Sequence, residues 1–289
     1  MSSVKGIDDT VSKNIRKSMQ ADCQNCFGLC CTALTITASS DFAMNKPAGI
    51  PCTHLQSNFH CQIHRDLRSK GFKGCTVYDC LGAGQLVAQT TFNGQDWRGN
   101  AEVAEKMFQV FPIMEQLYEM IAYVAEAMAY RISPKLYDNL HEQLETLQSL
   151  TKLEATALIA LDIPPIRQPV NNLLLETSAQ IRNKLAVTTL GEKNAPNHRG
   201  ANWIGKNLKG KDLRGTDLRG AYLIAANLQN ADLRGVDFIG ADLRDANLCG
   251  ANLSTAMFLT QMQINSASGN HQTKLPFYLH MPSHWHTAP

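Results

Sequence analysis

Residues 201–260 read ANWIG KNLKG KDLRG TDLRG AYLIA ANLQN ADLRG VDFIG ADLRD ANLCG ANLST AMFLT. The period is five, and it holds without a break for twelve pentads. The central positions are Trp203, Leu208, Leu213, Leu218, Leu223, Leu228, Leu233, Phe238, Leu243, Leu248, Leu253 and Phe258. Asn or Asp precedes the centre in ten of the twelve, so that position reads as a polar turn contact. Tyr222 and Met257 depart from it, and looser turns are expected there. The residue two before the centre is mostly Ala, and the residue two after is mostly Gly. A period of five matches neither a helix at 3.6 nor a strand at 2. A short fixed period points instead to a solenoid, in which each unit buries its centre only by stacking on the next coil.

Runs such as Ala231–Gly235 (ADLRG), Ala241–Asp245 (ADLRD) and Ala246–Gly250 (ANLCG) resemble the pentapeptide-repeat family, whose pattern is A-(D/N)-L-x-x. The resemblance implies a right-handed quadrilateral β-helix with four pentads per coil, hence about three coils. At the spacing of paired strands such a column is about 15 Å tall. Residues twenty apart then share a column: Leu218, Phe238 and Phe258 in one, Leu208, Leu228 and Leu248 in another. Lys206 and Lys211 occupy the small inward position of the first coil. Burying a lysine is costly, so that coil is expected to be an open edge, with Thr216 in a less crowded setting than Phe238.

Outward from the repeat, the 289 residues suggest about two domains by length. The segments read as a polar N-terminal arm (1–20), a Cys-rich segment (21–99), a small helical bundle (100–187), a polar linker (188–200), the repeat (201–260) and a C-terminal cap (261–289). The class is therefore multidomain, α plus β-solenoid. The arm carries Val11, Ile15 and Met19 on one helical stripe. In the bundle, Ile113, Leu117, Met120, Ile121, Val124 and Met128 repeat at helical spacing, and Pro112 is expected to start or kink that helix. Ser133-Pro134 looks like a helix start before Leu136, Leu140, Leu144 and Leu147. Thr151 and Glu154 have capping-box spacing before Leu158, Pro164-Pro165 is expected to end that element, and a last helix carries Leu173, Leu174, Ile181 and Leu185. In the tail, His280, His284 and His286 read as surface histidines, because no cysteine or acidic cluster joins them.

Eight of the nine cysteines fall in a short window: Cys23, Cys26, Cys30, Cys31, Cys52, Cys61, Cys75 and Cys80; Cys249 stands apart, on an outward position of the repeat. The start of the chain has Asp8 and Asp9 where a secretory signal would be apolar, so a cytoplasmic, reducing setting is expected and disulfides are disfavoured. Dense cysteines then read first as metal ligands. Cys23-x2-Cys26 places two thiolates on one turn, and Cys61-x2-His64 is a second chelating pair. Thiolate and imidazole together suit tetrahedral zinc, whereas an iron–sulfur cluster needs four thiolates, which the set also allows. The candidate ligands are Cys23, Cys26, Cys30, Cys31, Cys52, Cys61, His64, Cys75 and Cys80, enough for two sites. The segment has many turn residues and little apolar periodicity, so metal is expected to replace the missing core.

The order C-x2-C-x3-CC … C-x8-C-x2-H … C-x4-C resembles the CxxCxxCC-type family of zinc- or iron-chelating proteins, over residues 21–85. Three residues, Phe27-Gly28-Leu29, separate the second and third ligands where that family's pattern has two. The resemblance implies a chelated metal and leaves zinc and an iron–sulfur cluster both open, with zinc favoured on the mixed ligands.

Charge excludes more than it suggests. The net charge is +2, and 18% of residues are charged. Residues 201–260 hold seven Lys or Arg and six Asp. A DNA-mimicking topoisomerase inhibitor, a role some pentapeptide-repeat proteins have, needs a tall acidic surface, so that role is disfavoured, as is direct nucleic-acid binding. The most apolar stretch, Ile113 to Tyr130, is broken by Glu115, Glu119 and Glu126, so no membrane span is expected. No nucleophile–base pair stands out, and Gly82-Ala83-Gly84 lacks the rest of a phosphate loop. The expected function is a non-catalytic, metal-stabilised scaffold acting on a protein partner, with a homodimer possible. The alternative is a redox-active or metal-handling module.

Overall fold

The computed structural model describes residues 9–187, 191 and 195–287, with side chains from Ser12 to Trp285. Linker residues 188–190 and 192–194, the first eight residues of the arm, and the side chains of Val11 and His286 lie outside the described residues. The chain divides into two compact units, Met1–Ala129 with Tyr137–Leu173, and Tyr130–Leu136 with Leu174–Pro289.

The first unit begins with α1 (Asp9–Ser18), which ends beside the buried Met19. The Cys-rich segment holds only short helices: α2 (Leu29–Thr32), α3 (Lys73–Val77) and α4 (Ala83–Leu86), the last running into a π-helical turn at Val87–Thr91. Its support is α5 (Ala101–Met128), capped by Asn100, whose side chain accepts from the Glu102 and Val103 N–H groups. Pro112 neither starts nor ends this helix; α5 runs through it from Ala101. The cap at Asn100 and the buried Met107, Val110 and Phe111 extend the helical face upstream of the proline. Thus α5 joins the Cys-rich segment in one unit, where a division near residue 100 was expected. The reason is apolar area: Trp97 meets Phe108 edge-on at 5.7 Å and Phe59 at 5.7 Å, and α5 supplies the larger buried side chains.

Next comes α6 (Pro134–Leu150), with Leu136, Leu140, Leu144 and Leu147 all buried. The Thr151–Glu154 capping box does not form: α7 (Ala155–Ile159) follows Glu154 without a side-chain cap, and the Thr151 hydroxyl donates back to the Gln148 carbonyl. Pro164 and Pro165 do not end an element. They occupy the first turn of α8 (Ile163–Leu185), where a missing N–H costs nothing.

In the second unit the repeat forms a ladder of single parallel bridges between residues twenty apart, from Asn197–Asp217 to Asp237–Met257. Each pentad contributes one bridging residue, so no extended strand develops among the described residues. Four bridges per twenty residues turn the chain through four sides. The ladder starts at Asn197 and not at 201, so the pentad PNHRG (196–200), read as linker, pairs beneath 216–220. Thr216 is therefore buried rather than at an open edge. Lys206 and Lys211 are exposed, as an edge position requires.

The pentad pattern has a direct physical cause. Every Asn or Asp before a centre, from Asn197 to Asn252, accepts with Oδ1 from the backbone N–H two residues on, at 3.0–3.3 Å. This is the Asx turn, which satisfies the corner from within. The residue two after each centre, from Gly200 to Gly250, has φ between 55° and 70°. Glycine takes that left-handed conformation without strain. The centres fill the interior, with Leu218, Leu228, Phe238, Leu248 and Phe258 fully buried.

Beyond the repeat, α9 (Gln261–Ser266) opens with a Thr260–Gln263 capping box. The Gln263 Nε2 donates to the Phe238 and Ala241 carbonyls at 2.9 and 2.8 Å. Ser268 and Lys274 bridge to Asn247 and Asn252, and Trp285 is buried with its Nε1 donating to the Ala267 carbonyl. The tail so satisfies edge groups of the last coil. His280 is exposed, and the His284 Nε2 lies 3.2 Å from the Ala267 carbonyl.

Candidate functional site

All nine cysteines are free. Cys23 and Cys26 sit on the turn leading to α2, with the Cys26 thiol donating to the Cys23 carbonyl. Cys30 and Cys31 lie on α2 with their Sγ atoms 4.0 Å apart. Cys52 is buried, and its N–H donates to the Cys31 carbonyl at 2.9 Å. Cys61 bridges Leu55, Cys75 lies on α3, and Cys80 stands in the turn before α4. His64 is exposed, and the chelating pair with Cys61 gains no support from its placement. His54 is half-buried, edge-on to the Phe72 ring at 5.2 Å.

As placed, the thiols are neighbours rather than ligands. Among the described residues, no three Cys, His, Asp or Glu side chains are drawn together closely enough to hold a metal ion. The electrostatics nevertheless tie them into one neighbourhood. The hydrogen bond between Cys23 and Cys26 pushes the first thiol up and the second down; burial and the charges of Cys26, Cys80 and Cys31 raise Cys23 further. The same division by hydrogen bond raises Cys30 and lowers Cys31. Burial pushes Cys75 up to about 12, with repulsion from Cys31, Cys52 and Cys61 added. Burial also raises Cys80 and Cys61. Without a cation, most of these groups stay protonated.

Three features near the thiols carry no sequence signature. Lys46 is buried, 2% exposed, and its Nζ donates to the carbonyls of Thr32, Leu34, Pro47 and Ile50. Burial lowers its pKa, and thiolates at Cys52, Cys31 and Cys30 raise it. Gly84 is the second: a Cβ there would stand 3.0 Å from the Cys26 Cβ and 3.8 Å from the Cys80 Sγ. The third is the Tyr78 hydroxyl, which donates to Glu115 of α5; burial raises both groups. Nothing in the spacing of Lys46, a lone lysine in a loop, marks it out.

The repeat offers a different surface. Arg214, Arg234 and Arg244 each pair with the Asp two residues before them. Arg219 instead reaches the fully buried Asp237 at 2.7 Å, and Arg182 of α8 reaches Asp217 at 3.2 Å. Val187, Phe277, Ile204 and Tyr222 are the large apolar side chains most exposed in this unit.

The family model described as pentapeptide repeats matches residues 216–254 in eight copies. Protein YybG of Bacillus subtilis (strain 168) is 54% identical over 276 residues, which cover 96% of this chain and 98% of YybG. This chain is a pentapeptide-repeat protein of the YybG family. Two similar solved structures each cover less than a third of this chain. The pentapeptide repeat protein Rfr23 from the cyanobacterium Cyanothece 51142 is 30% identical over 27% of this chain and 53% of its own, with a TM-score of 0.25. The pentapeptide repeat protein alr5209 from Nostoc Pcc 7120 is 32% identical over 28% of this chain and 74% of its own, with a TM-score of 0.16. The match to YybG runs through the Cys-rich segment as well, so the two parts occur together in a relative. Among the described residues, no helix of this pentapeptide-repeat protein is long and apolar enough to cross a membrane.

Proposed function

We propose that this protein is a non-catalytic scaffold: a Cys-rich segment folded around thiolate-bound metal, and a right-handed repeat column of about three coils that meets a protein partner. The observation that carries the metal reading is eight free thiols within residues 23–80, two of them 4.0 Å apart on α2, with a buried lysine whose charge acts on Cys31, Cys52 and Cys30. Thiolates there repel one another, and a bound cation is what relieves that repulsion. The donor set we propose is the eight thiols alone, without His64. Such a set suits tetrahedral zinc and, equally, an iron–sulfur cluster; zinc is the first metal to test. A bound metal would supply folding energy to a segment with few large buried side chains of its own. The partner reading rests on the solenoid surface, since stacked repeats present extended faces for binding. The near balance of Arg and Asp on that surface disfavours mimicry of nucleic acid.

Metal analysis and a visible spectrum of the protein purified without oxygen test the first part. Stoichiometric zinc in a colourless preparation is expected. Iron with sulfide and a brown colour would keep the metal and replace zinc, moving a redox role ahead of the scaffold. A metal-free protein with residues 21–85 still protected from proteolysis would sink the metal reading.

A further inference from the structure

We propose that the outward face of pentads 201–205 and 221–225, with Ile204, Tyr222 and Ile224 at its centre and Lys206 and Lys209 at its rim, docks an acidic segment of a partner protein that also carries apolar side chains. This rests on the partner reading above and assigns its place and chemistry.

The centre of each pentad and the residue two before it fill the interior of the column, so the residues on either side of the centre face out. After the centre that outward position is mostly polar or charged, as at Lys209, Gln229, Arg234, Arg244 and Ser254. Ile204 and Ile224 break the pattern, and they are neighbours: the Gly205 N–H donates to the Ile224 carbonyl at 2.8 Å. Tyr222 joins them, since it bridges Asn202 and its carbonyl accepts from the Trp203 N–H at 2.8 Å. Ile204 is 54% exposed, Tyr222 is 52% exposed, and Ile224 is half-buried.

The fold does not call for these residues. Pentad 221–225 gives up both corner devices: Tyr222 has no Asx oxygen, and Ala225 holds φ at 55° without the freedom of glycine. Met257 also stands where an Asx belongs, but it is fully buried and packing accounts for it. Tyr222 leaves half its surface in solvent, so packing within the chain does not account for it.

Charge selects the partner. Arg214, Arg234 and Arg244 are each held by the Asp two residues before them, whereas Lys206, Lys209 and Lys211 have no carboxylate partner among the described residues. Lys206 lies over the Trp203 ring at 4.7 Å, two residues from Ile204. Residues 196–215 hold five Lys or Arg and one Asp. Higher on the same face, Asp242 is already held by Arg244. Size selects a segment over a second folded copy. Two coils and their margin offer a face of about 10 by 15 Å, far below the roughly 800 Å² per partner of a stable dimer.

Arrays of short acidic, basic and neutral peptides, each with and without Leu and Phe, probed with the full chain, test this. Acidic peptides that carry Leu or Phe should be retained about ten-fold better than those without, the gain from burying one apolar side chain. Added salt should weaken that retention. Lys206→Glu with Lys209→Glu should move the preference to basic peptides that carry Leu or Phe. Ile204→Ser with Tyr222→Asn should remove the dependence on Leu and Phe. Tyr222→Asn alone supplies the missing Asx oxygen, so its melting midpoint should hold or rise, and its loss of binding is then no loss of fold. A preference for basic or neutral peptides in the parent, or paired variants that bind as the parent does, overturns the proposal. Tighter retention of a DNA oligomer would give the face to nucleic acid, and a dimer in sedimentation that Tyr222→Asn dissolves would give it to a second copy; either overturns the proposal. No retention of any peptide class would sink the partner reading along with it.

Discussion

The repeat and the Cys-rich segment solve the same problem in opposite ways. Both are made of turns, and neither has a long helix or strand of its own. In the repeat the corners from Asn197 to Asn252, Tyr222 excepted, are satisfied locally by an Asx oxygen two residues away, and from Gly200 to Gly250 the residue two after the centre is left-handed. Its interior is continuous and apolar. The Cys-rich segment has scattered Asx turns of the same kind, at Asp22, Asn58, Asp79 and Asp96, but ties its turns to one another over long separations, through Trp97 Nε1 to the Phe27 carbonyl and Gln85 to residues 20 and 22. Its gathered side chains are polar thiols. Local rules repeat and can be extended; long-range straps must be supplied once each, and something must hold their centre.

Metal removal should therefore separate the two regions most sharply. A chelator strong enough to strip thiolate-bound metal is expected to expose residues 21–85 to limited proteolysis while the ladder from Asn197 to Met257 stays protected. Structural metal contributes on the order of 10 kcal/mol in small thiolate domains, more than any single side chain here. Re-addition should restore protection. Simultaneous cleavage of both regions would mean that the contrast drawn here is false.

Within the ladder, Phe238→Ala is expected to cost about 3–5 kcal/mol, as truncation of a large buried aromatic does. Phe238 is wholly buried, with Leu218 and Phe258 in its column. Thr216→Ala removes far less volume and should cost about 1 kcal/mol, although the pentad beneath it leaves Thr216 buried too. Thermal melts giving the two variants equal midpoints would show that the column register is wrong.

The same contrast explains what could be read from the amino acids alone. The repeat could be read because each of its positions has a one-step physical cause. Its missed first pentad, 196–200, keeps the Asn and Gly of the pattern but has His198 at the centre, where an apolar residue would have marked it. The cysteines could be read as a cluster in sequence, but not which of them lie near one another. Cys80 comes near Cys26 across more than fifty residues, beside Gly84 and with Gln85 and Gln89 bonded to the Cys23–Cys26 turn, a spacing that follows no period. Lys46 is a polar residue in a loop until its four carbonyl partners are seen. Of the two readings of Pro112, a start or a kink, the start fails: proline marks a boundary only where no cap further upstream competes, and Asn100 does compete.

Charges inside the repeat offer a finer probe. Asp237→Asn keeps an Oδ1 for the Ile239 N–H, so the Asx turn survives and only the charge is lost. Arg219, itself buried, is then left without its counter-ion. Breaking a buried pair in this way costs about 3–5 kcal/mol. Burial pushes the Asp237 carboxyl up, opposed by the Arg219 charge and by bonds from Ser178 and Ile239. Asp212→Asn removes the same charge from an exposed pair and should cost far less, since surface pairs contribute little. Equal losses in denaturant titrations would mean that the Arg219–Asp237 pair is as well hydrated as the surface one.

The smallest expected effect is the acid response of those surface pairs. Hydrogen bonds from Arg214, Arg234 and Arg244 hold Asp212, Asp232 and Asp242 below the usual carboxylate range. A carboxyl whose folded pKa is depressed contributes stability above its unfolded pKa, about 3.9, and loses it as pH falls through the folded value. Ladder stability should accordingly fall below about pH 4. Replacing Asp212, Asp232 and Asp242 together by Asn should flatten that fall, and added salt should flatten it in the parent by screening the same exposed pairs. Melting curves from pH 5 to pH 2 check this. An undiminished acid slope in the triple variant would place the titrating groups elsewhere, and the Arg–Asp pairs would then belong to the turn geometry alone.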